Sequence, residues 1–277
     1  MRRTGIHAPT VEDTAEISGI ETLHPGGFAL TRRTAEVAGL KPGLRVLDVS
    51  SGRGTQAVFY AVEYGVDVTG VDISPEMVRR ATERAAAAGV SERVRFELGD
   101  SQKLAFADAT FDVVVNECAV GIPDDSDAVV REMARVVRPG GRVVIHESTW
   151  RRPVSAEEKN DLAERYGTTP LERDEWTGML RSAGLEEVAD EGEPWSRPEV
   201  FWNVRKDRKV CCPLMILTPG ERLRTLGRLL PRHGVKGAVK VLQNENAFFS
   251  AVKAEKIGYG LYWGRRPEAA GTRRAAR

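Results

Sequence analysis

Two groups of residues in this chain of 277 could do chemistry. The first is the loop Asp48-Val49-Ser50-Ser51-Gly52-Arg53-Gly54-Thr55, with Asp72 beyond it. Glycines at a strand-to-helix turn let the backbone come close to a ligand, and the helix N-terminus offers unpaired N–H groups to a carboxylate or phosphate. Asp72 closes the next apolar run, where a carboxylate can accept hydrogen bonds from both hydroxyls of a ribose. Loop and acid together point to a nucleoside cofactor, and a nicotinamide site would share their layout. The second group is His24, Glu117 and His146. Imidazole and carboxylate side chains are the ones that take up or release a proton near neutral pH. The competing reading is structural: His24 caps a glycine-rich turn and His146 hydrogen-bonds a neighbouring loop.

The elements that must position these residues alternate between strand and helix patterns. Residues 44–49 follow the turn Lys41-Pro42-Gly43 and read as a strand, and 55–64 as a helix stopped by Gly65. A second strand covers 66–72. Ser74-Pro75-Glu76 then supplies a cap, a first-turn proline and an early acid for a helix reaching Ala88, with Gly89 as its stop. Strands at 94–98 and 111–116, a helix at 126–137 and a strand at 142–146 complete the first half. Helix-length connections between strands mean βαβ units and a parallel sheet. Ligands of such sheets bind at the carboxyl ends of the strands, where Glu117 and His146 fall. Further on, 174–183 reads as a helix, 186–189 as a sixth strand and 257–263 as the last. The expected fold is an open, doubly wound α/β sheet of seven strands, with a helical cap inserted before the last strand.

Several of these segments occur as an ordered set of motifs. Val46-Leu47-Asp48-Val49-Ser50-Ser51-Gly52-Arg53-Gly54-Thr55 resembles the first motif of class I S-adenosylmethionine-dependent methyltransferases, and Gly70-Val71-Asp72-Ile73-Ser74-Pro75-Glu76-Met77 their second. Gly99-Asp100-Ser101-Gln102-Lys103-Leu104-Ala105-Phe106, followed by Phe111-Asp112-Val113-Val114-Val115, is similar to the third and fourth. Val136-Val137-Arg138-Pro139-Gly140-Gly141-Arg142 is similar to the turn before the fifth strand. The resemblance spans about residues 20–190 plus the final strand, and is nearest to small-molecule enzymes of the ubiquinone/menaquinone and sterol type. It implies a Rossmann-like core, S-adenosylmethionine (SAM) as cofactor and S-adenosylhomocysteine (SAH) as product.

The resemblance also implies roles. Ser50, Ser51, Gly52, Gly54 and Thr55 would wrap the methionyl part of SAM, with Asp48 organising the loop. Asp72 would hold the ribose, Ile73 and Met77 would flank the adenine, and Asp100 with Ser101 would meet its amino group. Asn116 and Glu117 would lie near the transferring methyl group. His24, Glu117 and His146 are the candidates for proton transfer from the acceptor. Ser50 departs from the family, which has glycine there: a Cβ at that position either narrows the pocket or requires an ordinary negative φ.

Apolar residues at 41% and charged residues at 29% are a globular balance and exclude a disordered or fibrous chain. No run approaches the ~18 apolar residues of a membrane span, so a cytoplasmic protein is expected. The net charge of +1 predicts no polyanionic partner, yet it is a cancellation: residues 1–194 sum to −11 and 195–277 to +12. The expected organisation is an N-terminal helical segment over the cofactor (1–43), the SAM-binding core (44–194), a basic helical cap (195–256), the last core strand (257–266) and a frayed tail (267–277). Within the cap, Arg222, Arg224, Arg228, Arg232, Lys236 and Lys240 interleave with Leu223, Leu226, Leu229, Leu230, Val235 and Val239.

That basic, apolar pattern has three readings. It is a solvated face paired with the acidic core, an attractor for an anionic or lipophilic substrate or a membrane surface presenting one, or a nucleic-acid surface. An RNA methyltransferase is disfavoured, because Asn116-Glu117-Cys118-Ala119 stands where an Asn/Asp-Pro-Pro-Tyr/Phe motif would follow the fourth strand. Cys118, Cys211 and Cys212 leave open an arsenite- or thiol-type methyltransferase, although Cys211-Cys212-Pro213-Leu214 reads as apolar packing. Their spacing fits no zinc pattern, and no metal is expected. A SAM-binding protein without catalysis is the remaining alternative to an enzyme acting on a small molecule.

Overall fold

The structure is a computed structural model that describes residues 24–166, 168–197 and 219–268. Cys211, Cys212, Pro198, Pro213 and most of the expected tail lie outside these residues. Eight strands form one sheet: β1 (Arg45–Val49), β2 (Asp67–Asp72), β3 (Val94–Leu98), β4 (Phe111–Glu117), β5 (Val137–Trp150), β6 (Leu171–Glu172), β7 (Glu186–Glu191) and β8 (Ile257–Arg265). Seven of them run in the order β3-β2-β1-β4-β5-β8-β7, and the two-residue β6 pairs with β5 beside that path. β8 is antiparallel to both of its neighbours. The helices are α1 (Gly27–Ala38), α2 (Thr55–Tyr64), α3 (Pro75–Ala87), α4 (Ser126–Val136), α5 (Ala156–Tyr166), α6 (Arg173–Ser182), α7 (Glu193–Ser196) and α8 (Pro219–Lys253).

Local chemistry accounts for these boundaries. The Ser74 hydroxyl accepts from the Met77 N–H and opens α3 with Pro75 in its first turn. Asp125 caps α4 through the Ala128 N–H at 2.8 Å. β1 and β4 are almost wholly buried, as central parallel strands covered on both faces must be. Successive side chains alternate between two cores. Val46, Val113, Val115 and Val144 pack under α1 and α2, while Leu47, Val49, Val114, Val143 and Ile145 pack against Val129, Val130, Met133, Trp176 and Leu180 of α4 and α6.

Three features depart from the sequence pattern. β5 begins at Val137 and not at 142, because Gly140 and Gly141 exchange backbone hydrogen bonds with Arg266 at 2.8 and 2.9 Å. α5 and β6 form within residues that carry weak local signals. In the basic segment Pro231 lies inside α8, and the helix kinks instead at Gly234, where φ is 63° and ψ 179°. No helix among the described residues is long and apolar enough to cross a membrane.

Candidate active site

The chain runs outward from β1 to β3 on one side and from β4 on the other, so a crevice opens where the carboxyl ends of β1 and β4 diverge. Strand alternation fills that end with polar groups. Asp48 shares the face of Val46, Glu117 that of Val113 and Val115, and His146 that of Val144; Glu117 and His146 are direct cross-strand partners. This is the face covered by α1 and α2. Their side chains Thr31 and Tyr60, and His24 from the turn before α1, therefore meet the strand ends from above.

One carboxylate gathers the group. Glu117 Oε2 lies 3.1 Å from His24 Nε2, 3.0 Å from His146 Nε2, and accepts from the Thr31 hydroxyl at 3.0 Å. Its other oxygen accepts from the Tyr60 hydroxyl. All of these residues are buried, apart from the partly exposed backbone at Glu117. His24 Nδ1 lies 2.9 Å from the Pro25 carbonyl, and His146 Nδ1 2.7 Å from the Tyr259 hydroxyl. Burial alone would push the Glu117 carboxyl up, but the rings of His146 and His24 outweigh it and hold Glu117 well below the usual carboxylate range. Burial lowers the His146 pKa despite the carboxylate beside it. Tyr60 is pushed well above its usual range, first by burial and then by the Glu117 charge. Burial also pushes the Cys118 thiol up, the opposite of what a reactive thiolate needs.

The glycine loop is built around left-handed residues. Ser50, Gly52 and Gly54 have φ of 57°, 51° and 69°. Ser50 thus takes the glycine conformation despite its Cβ; the ordinary negative φ expected of a serine is not what forms. At Gly54 a side chain would be excluded on two counts, since a Cβ would also lie 2.5 Å from the Phe96 ring. Above Gly52 nothing lies within 4 Å of such an atom, so that face of the loop is open. Asp72 braces the loop by accepting from the Gly52 N–H and the Ser74 N–H, both at 2.9 Å. Asp48 Oδ2 and Ser51 Oγ are buried without a hydrogen-bond partner among the described residues. Burial, then the charges of Glu117 and Asp72, push the Asp48 carboxyl well above its usual range.

The other residues expected at the site lie at or after the carboxyl ends of β1, β2, β3 and β4. Thr55 begins α2, Ile73 is exposed beside Asp72, and Met77 is half-buried on α3. Asp100 accepts from the Gln102 N–H at 2.8 Å, with Ser101 buried next to it. Asn116 donates its amide N–H to the Val49 carbonyl and accepts from the Ala119 N–H, at 3.0 and 2.9 Å, so it ties β1 to the turn after β4. Thr31, Tyr60 and Tyr259 were not legible as site residues, because each sits in an apolar helix or strand pattern and reads as core. A cleft of about 500 Å³ lined by Arg131, Arg135, Pro139 and Arg266 opens at the other edge of the sheet, away from these groups.

Residues 46–141 match the family model described as a methyltransferase domain. The chain is 35% identical over 192 residues to 27-O-demethylrifamycin SV methyltransferase of Amycolatopsis mediterranei, covering 68% of this chain and 70% of that one. Among solved structures it is similar to the cyclase SpnF, with a TM-score of 0.72 at 22% identity, covering 96% of this chain and 100% of that one. It is also similar to Haemonchus contortus phosphoethanolamine N-methyltransferase 2 in complex with SAM, with a TM-score of 0.73 at 19% identity over 94% of this chain and 58% of that one. Both structures share the fold. The chain belongs to the class I SAM-dependent methyltransferases. It is an enzyme that uses SAM and acts on a small molecule.

Proposed function

We propose that this enzyme methylates a hydroxyl oxygen of a lipophilic small molecule, with His24, Glu117 and His146 facing the acceptor. One observation carries the reading: a buried carboxylate held between two imidazoles at the crevice beside the glycine loop. A neutral amine brings its own lone pair, whereas a hydroxyl must give up a proton to become a good nucleophile, and buried imidazole–carboxylate groups suit that task. The likeness to 27-O-demethylrifamycin SV methyltransferase points the same way, since that protein's name describes O-methylation. So do Leu223, Leu226, Leu230, Val235 and Val239, which leave α8 with exposed apolar side chains interspersed with basic ones.

The loop fits the cofactor. Two buried polar atoms, Asp48 Oδ2 and Ser51 Oγ, have no partner in the described chain, and the space over Gly52 is open. Ser50, Ser51, Gly52, Gly54 and Thr55 would enclose the amino-acid part of SAM, with Asp48 beneath them. Asp72 would take the ribose hydroxyls with its free lone pairs, Ile73 and Met77 would cover the adenine, and Asp100 with Ser101 would face its edge. Asn116 shapes this wall through its bonds to the chain, and Glu117 closes its end. When bound, SAM supplies a methyl group on a positively charged sulfur, open to in-line displacement. The protein's own work is to exclude water, align the acceptor oxygen and receive its proton at the His24–Glu117–His146 cluster.

The test is a panel of lipophilic alcohols and phenols set beside amines, phosphobases and thiols, with SAH formation measured chromatographically. Turnover with hydroxylated acceptors that stops when the hydroxyl is already methylated is the expected result. SAH formed only with amines or thiols overturns the acceptor class. SAM binding without SAH from any acceptor favours a non-catalytic protein.

A further inference from the structure

Three possible ligand atoms face one another at the ends of β4 and β5. A carbonyl only accepts, so His24 Nδ1, 2.9 Å from the Pro25 oxygen, donates to it and is fixed by it, which leaves Nε2 as the nitrogen turned to the cluster. The Tyr259 hydroxyl lies 3.2 Å from the His146 carbonyl and 2.7 Å from His146 Nδ1, and fixes that ring. His146 Nε2 is buried with no hydrogen-bond partner among the described residues. Both nitrogens lie close to the same Glu117 oxygen, at 3.1 and 3.0 Å, and the three atoms lie within 4.8 Å of one another. Such atoms repel unless a positive charge sits among them. Histidines that bind metals are held in this way, the second ring nitrogen donating to a neighbouring oxygen that fixes the tautomer.

We propose that His24, Glu117 and His146 bind one divalent transition-metal ion, with the Thr31 hydroxyl as a fourth donor. Donors about 2.1 Å from an ion and at right angles to each other lie about 3.0 Å apart, whereas tetrahedral zinc spreads them to about 3.4 Å. Thr31 Oγ1 lies 3.0 Å from Glu117 Oε2 and 3.2 Å from His24 Nε2, which extends the right-angled set. Two histidines and one carboxylate on one face of an octahedron suit Mn2+ or Fe2+ and leave positions open. The ion would clasp the turn before α1 to the ends of β4 and β5. An acceptor hydroxyl entering an open position would ionise more readily, its proton passing to water because the ion then holds the lone pairs of the cluster; that part rests on the acceptor class proposed above, while the ion site rests on the geometry alone. The ligands are dispersed in sequence and fit no spacing motif, which is why no metal was expected from it.

The test uses the full chain, stripped with a chelator and titrated with Mn2+, following loss of the free-ion electron paramagnetic resonance signal; Zn2+ and Mg2+ are compared by calorimetry. One Mn2+ taken up per chain is the expected result, with weaker uptake of Mg2+. Glu117→Gln should abolish uptake and Cys118→Ser should leave it unchanged, with melting curves confirming that each variant is folded. Tyr259→Phe removes the hydroxyl that meets His146 Nδ1 and the His146 carbonyl, and should weaken uptake about 10–100-fold. No uptake of Mn2+ or Zn2+ by the folded wild type, or equal uptake by Glu117→Gln, overturns the site. SAH formation by metal-free protein that takes up no ion would leave the proposed function standing and remove the metal. Uptake of Mn2+ without turnover of any hydroxyl acceptor would do the reverse.

Discussion

The rings of His24 and His146 lie 4.6 Å apart, centroid to centroid, and share one oxygen of Glu117. One comes from the turn before the first described helix and the other from the middle of β5. The turn before α1 is therefore one wall of the candidate site. Thr31, on α1, joins the same oxygen and keeps this wall in register with the sheet.

Substitution within this cluster should act on turnover and not on cofactor binding. Glu117→Gln and His146→Ala are each expected to lower kcat about 10²–10⁴-fold. SAM affinity, measured by calorimetric titration, should change far less. Wild-type turnover in both variants would rule out a part for the cluster in the reaction.

Asp72 braces the glycine loop and the start of α3 with one carboxylate. Asp72→Asn turns an amide toward one of those two N–H donors and weakens the group facing the ribose. A hydrogen bond to a charged group is worth about 1.5–3 kcal/mol, so SAM affinity should fall about 10–100-fold. A titration that returns the wild-type Kd would show that the carboxylate does not face the cofactor.

Ser50 holds a left-handed φ of 57°, which costs a residue with a Cβ about 1–2 kcal/mol. Ser50→Gly removes that strain, offset in part by the greater freedom of glycine in the unfolded chain. Chemical denaturation should show a gain of up to about 1 kcal/mol, and SAM binding should be kept or tightened. Loss of binding would mean that the Ser50 hydroxyl itself holds the ligand.

Asp48 makes stability depend on pH in a definite direction. Its folded pKa is raised, so the folded state holds the proton more tightly than the unfolded state does. The destabilising effect of ionising it is absent below the ordinary value of 3.8 and grows as pH rises from there towards the raised folded value. Asp48→Asn should therefore flatten the decline in Tm on going up from about pH 4 in the absence of cofactor. Parallel Tm curves for the two proteins would show that folding does not raise the Asp48 pKa.

The central strands were legible because their order follows from local composition. Val/Leu runs bounded by glycine turns mark β1, β2 and β4, and Ser74-Pro75-Glu76 marks the start of α3, since caps and fixed φ act within a few residues. The start of β5 was not legible, because Gly140 and Gly141 read as a turn until Arg266, far along the chain, pairs with them. The site divides in the same way. The loop and Asp72 announce themselves, since their chemistry needs glycine and an acid at a set spacing. Tyr60, Thr31 and Tyr259 gain their meaning only from the carboxylate or imidazole they touch. The two hydrogen bonds by which Asn116 ties β1 to the turn after β4 were likewise not legible, because both partners lie on other parts of the fold or in its turn.

β7 and β8 are hydrogen-bonded neighbours running in opposite directions, with the basic segment between them. In topological terms it is an oversized hairpin loop, and doubling the length of such a loop costs only about 0.6 kcal/mol. Insertions, deletions or wholesale grafts there would leave the strand order and the donor pocket intact. The strand order is thus fixed by the architecture, while the segment between β7 and β8 is free to vary in length.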